Sequence, residues 1–313
     1  MSEYHIPVLL NESLDGLAIR PDGIYVDVTF GGGGHSREIL NRLDDKGHLF
    51  VFDQDEDAVQ NLWGDDRMTL INSNFRYITR WMKYYNVDSK IDGILADLGV
   101  SSYQFDNPQR GFSYRFDEAL DMRMNQKQTL TAADVLNEYD VQHLQEMFSQ
   151  YGEITNAKTL AQQIVQARTG RRIETTGQLV SVAEAVLRGH KMQYLSQLFQ
   201  ALRIEINDEM NALKDMLKGA EEVLKPGGRL SVISYHSLED RLVKRFFKSG
   251  NFEGEPETDF FGKRSVGWKV ITKNPIEADV EEQARNPRSR SGKLRVAEKA
   301  AGSRGQGAGK TKG

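Results

Sequence analysis

The chain has 313 residues, a formal net charge of −4 and no cysteine. Without cysteine it cannot form disulfides, cysteine-based zinc sites or a thiolate nucleophile, which fits a reducing, cytoplasmic location. No export signal or membrane-spanning apolar run is evident, so we expect a soluble protein with no membrane partner. This length allows one large domain with an insertion, or two domains.

A run of four glycines at residues 31–34 is the most informative stretch. It follows a β-prone apolar run at residues 25–30 and precedes a helix-compatible segment in which Ser36 is a candidate N-cap. The order predicts a strand, a tight turn and a helix. Glycine permits positive φ and close approach of a ligand, and a helix N-terminus offers free N–H groups. We therefore predict a nucleotide-type cofactor site here.

Two acids indicate which cofactor the turn serves. Asp53 ends a second predicted strand, nineteen positions after Gly34, where an acid can accept hydrogen bonds from both ribose hydroxyls. Asp27 directly precedes the glycines. S-adenosylmethionine carries an amino group and a sulfonium and has no phosphate, so the charge of Asp27 favours it over a nicotinamide dinucleotide.

Further strands are predicted at residues 68–75 and 91–97. Continuous apolar strands separated by helical segments indicate an α/β fold with a parallel sheet covered on both faces. Ligands of such sheets bind beyond the carboxyl ends of the strands. Because Asp27, Asp53, Phe75 and Asp97 each end a predicted strand, we expect them to meet at one crevice.

The next convincing strand, at residues 228–234, follows a predicted helix at 220–225, and 130 residues separate it from Asp97. A crossover needs only a dozen or more residues, so a domain is inserted. Helical apolar stripes follow Asp140 and Asn156, which we expect to be N-caps. The expected division is a Rossmann-like domain at 1–104 and 205–296, a helical substrate-recognition domain at 105–204, and a disordered, basic, Gly-rich tail at 297–313.

Arginines and aromatic residues alternate at the start of the insertion. This composition suits an unstacked base and its phosphates, and we predict substrate contacts for Arg110, Tyr114 and Arg115. We expect Phe112 and Phe116 to pack into the core of the insertion instead.

Residues after the fifth predicted strand form a second group of substrate candidates. His236 could be a general base, although a hydrogen-bonded positioning role is commoner, and no Ser-His-Asp triad can be inferred from one sequence. Tyr235 precedes it, and Arg241 begins the next helix. This helix should carry one basic face, because its basic residues are spaced i, i+3, i+4 and i+7: Arg241, Lys244, Arg245 and Lys248.

Positive charge is concentrated near the end of the chain. Residues 285–313 contain nine Lys or Arg and one acid, a net +8, which leaves −12 for the remainder. Within residues 285–295 Arg290 is a phosphate-binding candidate, although a plain solvated segment is an equal alternative. Beyond about Ala297 the composition predicts disorder. The six histidines lack ligand-like spacing, so we predict no metal.

Five separated motifs, at residues 5–10, 27–36, 92–102, 110–113 and 234–241, together resemble the bacterial 16S ribosomal RNA (cytosine-N4)-methyltransferase family. The likeness runs from about His5 to Arg295. It implies the Rossmann-like sheet of class I S-adenosylmethionine-dependent methyltransferases, and methylation of a cytidine amine in the decoding region of 16S ribosomal RNA, within the small ribosomal subunit. It also implies that the cofactor is held by Gly33, Gly34, His35, Asp53, Phe75, Asp97 and Gln104. The family often has arginine where this chain has Gly32.

The lone pair of a cytosine amine is delocalised, so the enzyme must align this nitrogen and accept its N–H hydrogen bond. Many amino-methyltransferases use an Asn/Asp-Pro-Pro-aromatic turn, but residues 97–100 here read Asp-Leu-Gly-Val. Our hypothesis is that Asp97, or a nearby backbone carbonyl, is the acceptor. A nicotinamide-dependent oxidoreductase and a non-catalytic ribosome-assembly factor remain alternatives. The sequence leaves open whether the substrate is naked RNA or an assembled particle, and whether the chain is a homodimer.

Overall fold

A computed structural model describes residues 7–99, 108–255 and 267–301. The chain forms two compact units, a sheet unit of residues 1–99 and 212–313 and a helical unit of residues 100–211. The boundaries expected from sequence, at 104 and 205, lie five and seven residues from these. The predicted cofactor residue Gln104 and residues 302–313 of the predicted tail lie outside the described residues.

One sheet with strand order β3-β2-β1-β4-β5-β8-β6 organises the sheet unit, and β7 pairs with β8. Strands β1 to β5 are parallel to one another, whereas β8 runs antiparallel to its neighbours. This α/β architecture is Rossmann-like, as predicted. The strands are β1 (Ile24–Asp27), β2 (His48–Asp53), β3 (Met68–Asn72), β4 (Ile91–Asp97), β5 (Leu224–Ser234), β6 (Trp268–Val270), β7 (Ile276–Glu277) and β8 (Lys293–Lys299).

The central strands are apolar because helices cover both faces of the sheet. Val26, Val51 and Leu95, on β1, β2 and β4, are fully buried. The helices are α1 (Leu10–Leu17), α2 (Gly34–Asn41), α3 (Ile78–Tyr84), α4 (Ala132–Glu138), α5 (Val141–Gln150), α6 (Ala157–Gly170), α7 (Thr176–Glu184), α8 (Lys191–Asn207), α9 (Glu209–Val223), α10 (Ser237–Ser249) and α11 (Val280–Arg285). Within the described ranges, none of them is both long and apolar enough to cross a lipid bilayer.

Strand β8 corrects the prediction that disorder begins at Ala297. Ala297 pairs with Leu230 of β5, and the Lys299 Nζ donates a hydrogen bond to the carbonyl of Leu224 at 2.7 Å. Leu294 and Val296 are buried. The strand was missed because its apolar positions alternate with basic residues, which gave the segment the composition of a solvated tail.

Helices α4 to α8 enclose the core of the helical unit, in which Leu144, Phe148 and Leu160 are fully buried. Asp140 caps α5 as predicted, since its carboxylate accepts a hydrogen bond from the backbone N–H of His143 at 2.8 Å. Asn156 also occupies the N-cap position of α6. However, its side chain bonds elsewhere, to the carbonyl of Val186 and the hydroxyl of Tyr194.

The two phenylalanines near the start of the insertion differ in their burial. Phe112 belongs to the core of the helical unit, as predicted. Phe116 is 52% exposed, so the expectation that it packs into this core is wrong. The alternation of aromatic and basic residues did not distinguish the two positions.

Candidate active site

The carboxyl ends of β1, β2, β4 and β5 form the candidate site. Asp27, Asp53 and Asp97 are the last residues of the first three of these strands, and Tyr235 directly follows β5. Because the strands are parallel neighbours in the sheet, their ends lie side by side. Three of the four predicted strand ends, Asp27, Asp53 and Asp97, are therefore present at this edge, whereas β3 ends at Asn72, before Phe75.

Asp27 stabilises the turn that follows β1. Its side chain is buried, and its two oxygens accept hydrogen bonds from the Thr29 N–H at 3.0 Å and from the Ser36 hydroxyl at 2.6 Å. The Thr29 hydroxyl in turn accepts the backbone N–H of Asp97 at 2.7 Å. These contacts do not support the interpretation that Asp27 faces the positive groups of a cofactor. Asp27 instead joins the end of β1 to the turn and to α2, and Thr29 joins the turn to β4.

Gly33 is the N-cap of α2, with φ of 75° in the left-handed region that favours glycine. The prediction of Ser36 as the cap is wrong, because Ser36 lies inside the helix and its hydroxyl binds Asp27. A Cβ on Gly33 would lie 2.7 Å from Cζ3 of Trp63 and 3.1 Å from the ring of Phe30. The turn is thus closely covered by aromatic side chains on one side.

Trp63 and Asn61 are contacts of the glycine turn that sequence reasoning missed. The guanidinium carbon of Arg37 lies 4.1 Å from the centre of the Trp63 ring, and Asn61 Nδ2 donates to the carbonyl of Gly31 at 2.9 Å. Both residues lie in or just beyond a short 3₁₀ helix at Glu56–Asn61. No local pattern marks them, since the contacts arise only when this segment folds onto the turn.

Asp53 joins the end of β2 to the same turn. One carboxylate oxygen accepts the Gly31 N–H at 2.8 Å, and the other accepts the Asp55 N–H at 2.9 Å. A carboxylate offers about four acceptor positions, so two remain for the hydroxyls of a ribose. Burial raises the pKa of Asp53 from 3.8 to about 6, and the two backbone N–H groups partly oppose this.

Phe75 is the first residue of a 3₁₀ turn after β3 and is half-buried. The side chain of Asn74, the N-cap of this turn, donates to Gln54 at 2.7 Å, and Asn72 Nδ2 donates to the carbonyl of Asp53 at 3.0 Å. The segment that carries Phe75 is therefore attached to the loop after Asp53. A cofactor role for Phe75 stays a prediction that this position allows.

Asp97 is held by Tyr235 and faces His35. The Tyr235 hydroxyl donates to Asp97 Oδ1 at 2.6 Å. His35 Nδ1 lies 3.7 Å from Oδ2, beyond hydrogen-bond range, while its Nε2 lies 3.1 Å from the carbonyl of Val8. A carbonyl can only accept, so Nε2 is the donor in the contact with Val8. Asp97 Oδ2 thus keeps its acceptor capacity.

Burial determines the ionisation of Asp97 and Tyr235. It raises the pKa of Asp97 above its ordinary value, while His35 and the Tyr235 hydroxyl act in the opposite direction. Burial, reinforced by the charge of Asp97, also raises the pKa of Tyr235 well above its ordinary value. Tyr235 therefore remains a hydrogen-bond donor, and Asp97 is a stronger base than an exposed aspartate.

His236 and the basic residues that follow belong to the start of α10. The His236 side chain is 8% exposed, and its Nδ1 accepts the Glu239 N–H at 3.4 Å as part of a capping box. This is the positioning role that the sequence favoured. The predicted basic face is confirmed as an exposed face, since the buried residues of α10 lie between its members, which are Arg241, Lys244, Arg245 and Lys248.

The substrate candidates outside this region differ in exposure. Arg110 is only 8% exposed, and its guanidinium donates to the carbonyl of Arg123 at 2.8 Å, so a direct substrate contact is not supported. Tyr114 is half-buried, with its ring against Phe199. Arg115 and Arg290 are exposed and stay candidates.

Comparison with known proteins decides the class. The sequence model of the MraW methylase family matches residues 2–300. The chain belongs to the MraW methylase family. A ribosomal RNA small subunit methyltransferase H of Flavobacterium johnsoniae is 59% identical over 95% of this chain and 98% of its own length. Those of Phocaeicola vulgatus and Bacteroides fragilis are 56% and 54% identical, each over 95% of this chain and 97% of its own length.

The chain is therefore a methyltransferase that uses S-adenosylmethionine, which sets aside the nicotinamide-dependent oxidoreductase and the non-catalytic factor. The residues present fit this cofactor. The first N–H groups of α2 have no partner within the helix, and Asp53 has acceptor capacity for hydroxyls. When bound, the cofactor supplies an electrophilic methyl group on a sulfonium.

We expect the affinity for S-adenosylmethionine to fall below about pH 6. The free Asp53 carboxyl has a pKa of about 6, and only its ionised form accepts hydrogen bonds from both hydroxyls with both oxygens. The dissociation constant should be constant above this pH and rise about tenfold per unit below it. Calorimetric titration between pH 5 and pH 8 measures the profile.

The control is Asp53→Asn, which should bind more weakly but with no inflection near pH 6. A flat profile for the wild-type chain, with Asp53→Asn still weakened, would contradict a titrating role for this carboxyl. Equal affinities of the two chains would exclude Asp53 from the cofactor site.

Proposed function

We propose that this methyltransferase acts in the cytoplasm on the small ribosomal subunit, where it methylates N4 of a cytidine in the decoding region of 16S ribosomal RNA. Relatives with 54–59% identity are named ribosomal RNA small subunit methyltransferases, and the likeness covers nearly all of each chain. The observation that carries the chemistry is the Asp97 carboxylate, held by Tyr235 at the end of β4 with Oδ2 available to an N–H donor.

Asp97 is proposed to orient the attacking amine. The N4 nitrogen of cytosine donates an N–H to Asp97 Oδ2, which localises electron density on the nitrogen and directs its lone pair at the methyl group. The cofactor would supply the methyl group to this nitrogen and would keep the electron pair of the methyl–sulfur bond. The proton that N4 loses is accepted by Asp97, whose raised pKa suits it as a base.

Tyr235 acts in this proposal through Asp97. Its hydroxyl occupies Oδ1, which leaves Oδ2 as the oxygen directed at the substrate. The Tyr235 ring also covers Gly99, where an added Cβ would lie 3.3 Å from Cδ2 of the ring. Tyr235 is therefore a positioning residue in this reaction, a more specific role than the substrate contact predicted from sequence.

The test is methyl transfer from labelled S-adenosylmethionine to small subunits from cells that lack this protein, with the product nucleoside identified by mass. We expect N4-methylcytidine, or its 2′-O-methylated form. Label in another nucleoside would move the proposal to another acceptor atom. No label in RNA, despite cofactor binding, would overturn it.

A further inference from the structure

A small cavity of about 200 Å³ lies against helix α10, away from the glycine turn. Its lining includes Lys244, Lys248 and Lys273, together with Phe247 and Val270, and we name it the lysine groove. The volume is below the ~300–1,000 Å³ usual for pockets that enclose a small molecule. The lysine groove is therefore suited to one group of a larger ligand.

The walls of the lysine groove are held by backbone and buried contacts. Thr272, at its lining, donates its backbone N–H to the carbonyl of Val296 at 3.2 Å, and its hydroxyl accepts the Val296 N–H at 2.9 Å. Phe247 is buried, with its ring centre 5.4 Å from that of Trp268. The backbone next to Lys273 is thus held against β8 by Thr272.

The charge of the lysine groove is strongly positive. No acidic residue is among the described residues that line it. Arg295 at its floor is neutralised by Asp240, with Nε to Oδ1 at 2.6 Å and Nη2 to Oδ2 at 3.1 Å. The three lysines have no ion pair within the described part of the chain. In a protein whose net charge is −4, three uncompensated ammonium groups around one concavity favour an anionic partner.

Helix α10 connects the lysine groove to the candidate active site. The helix begins at Ser237, next to Tyr235 at the end of β5, and its exposed face carries Arg241 in its second turn. Lys244 and Lys248 follow about 10 Å and 16 Å along the axis from Ser237. The cationic face therefore runs from the candidate active site toward the lysine groove. Proteins that bind single-stranded RNA commonly have such a positively charged surface along the path of the RNA backbone.

We propose that the lysine groove binds a phosphodiester of the RNA strand that flanks the target cytidine. This inference rests on the proposed function, because it assigns the same RNA to a second contact. The ammonium groups serve as point charges for the phosphate oxygens. The exposed edge of Val270 provides an apolar surface beside them. Such contacts contribute to RNA affinity without discriminating between bases.

The test compares Lys244→Gln/Lys273→Gln, one lysine from each wall, with the control Lys46→Gln/Lys90→Gln. The control lysines are exposed and lie in the loops before β2 and β4, at the opposite ends of the strands. For small subunits from cells lacking the protein, we expect the groove variant to raise KM about tenfold and leave kcat within about twofold. The slope of log KM against log salt should fall by about 0.7, since a single strand contributes about 0.7 per phosphate and the lysine groove is proposed to bind one.

Equal kinetics for groove and control variants would overturn the proposal. So would a fall in kcat at unchanged KM, which would place the lysines in the chemical step. If binding to assembled subunits weakens but binding to naked 16S ribosomal RNA does not, an acidic protein surface, and not RNA, occupies the groove. Absence of methyl transfer by the wild-type chain would overturn the proposed function itself. The proposal that the lysine groove binds this RNA would then also be overturned.

Discussion

Asp97→Asn is expected to lower kcat for methyl transfer by about 10²–10⁴-fold at saturating cofactor and subunit. The amide keeps an oxygen that accepts the Tyr235 hydroxyl, and the backbone N–H of residue 97 still binds the Thr29 hydroxyl. The fold should therefore persist. What is lost is a basic oxygen that can accept the N4 proton. Single-turnover transfer to small subunits from cells lacking the protein measures the effect.

Asp92→Asn is the matched control, because Asp92 lies near the amino end of the same strand, β4. It accepts the Ile24 N–H at 3.0 Å and pairs with Arg20 at 2.8 Å, so its loss should lower the free energy of unfolding without changing kcat. Full turnover by Asp97→Asn with unchanged cofactor affinity would eliminate Asp97 as proton acceptor. A nearby backbone carbonyl would then be the remaining candidate.

Gly33→Ala is expected to destabilise the glycine turn and weaken the cofactor. An alanine at φ of 75° costs about 1–2 kcal/mol, and its Cβ would lie 2.7 Å from the ring of Trp63. To relieve this steric overlap, the turn or Trp63 must move. Movement of the turn displaces the backbone N–H groups at the start of α2. We expect the melting temperature to fall and the dissociation constant for S-adenosylmethionine to rise at least tenfold, the equivalent of about 1.4 kcal/mol.

Gly32→Ala provides the comparison within the same turn. A Cβ on Gly32 would meet no atom within 4 Å, so the substitution should leave stability and cofactor affinity nearly unchanged. If both alanine variants bound the cofactor like the wild-type chain, the steric reasoning about Gly33 would be wrong.

The sequence was sufficient to predict the ends of β1, β2, β4 and β5 and the insertion after β4, but not the end of β3 at Asn72. Local signals determine these features: apolar runs of strand length end in aspartates, and a turn-forming Pro-Gly-Gly sequence stands before the buried part of β5. The acids at the ends of β2 and β4 could be identified for the same reason, because a charged residue at the end of a buried run needs a specific partner.

Features created by tertiary contacts could not be predicted. Thr29 joins β1 to β4 and Trp63 covers the turn only because distant segments meet. Arg110 and Arg115 have the same composition around them, but only Arg110 is buried. The cap of α2 was misassigned because Ser36 has the chemistry of a cap, whereas the backbone conformation of Gly33 determines where the helix begins.

The position of β5 in the sheet has a consequence for synthesis of the chain. Strand β4 ends at Asp97 and has β1 on one side. Strand β5, which pairs with its other side, begins only at Leu224, and β8 pairs with β5 from Lys293 onward. At roughly 5–20 residues per second, the 126 intervening residues take a ribosome roughly 6–25 s to translate. Throughout that interval one edge of a four-stranded, apolar sheet has no partner, so nascent chains of this length are the stage at which aggregation and chaperone binding should be greatest.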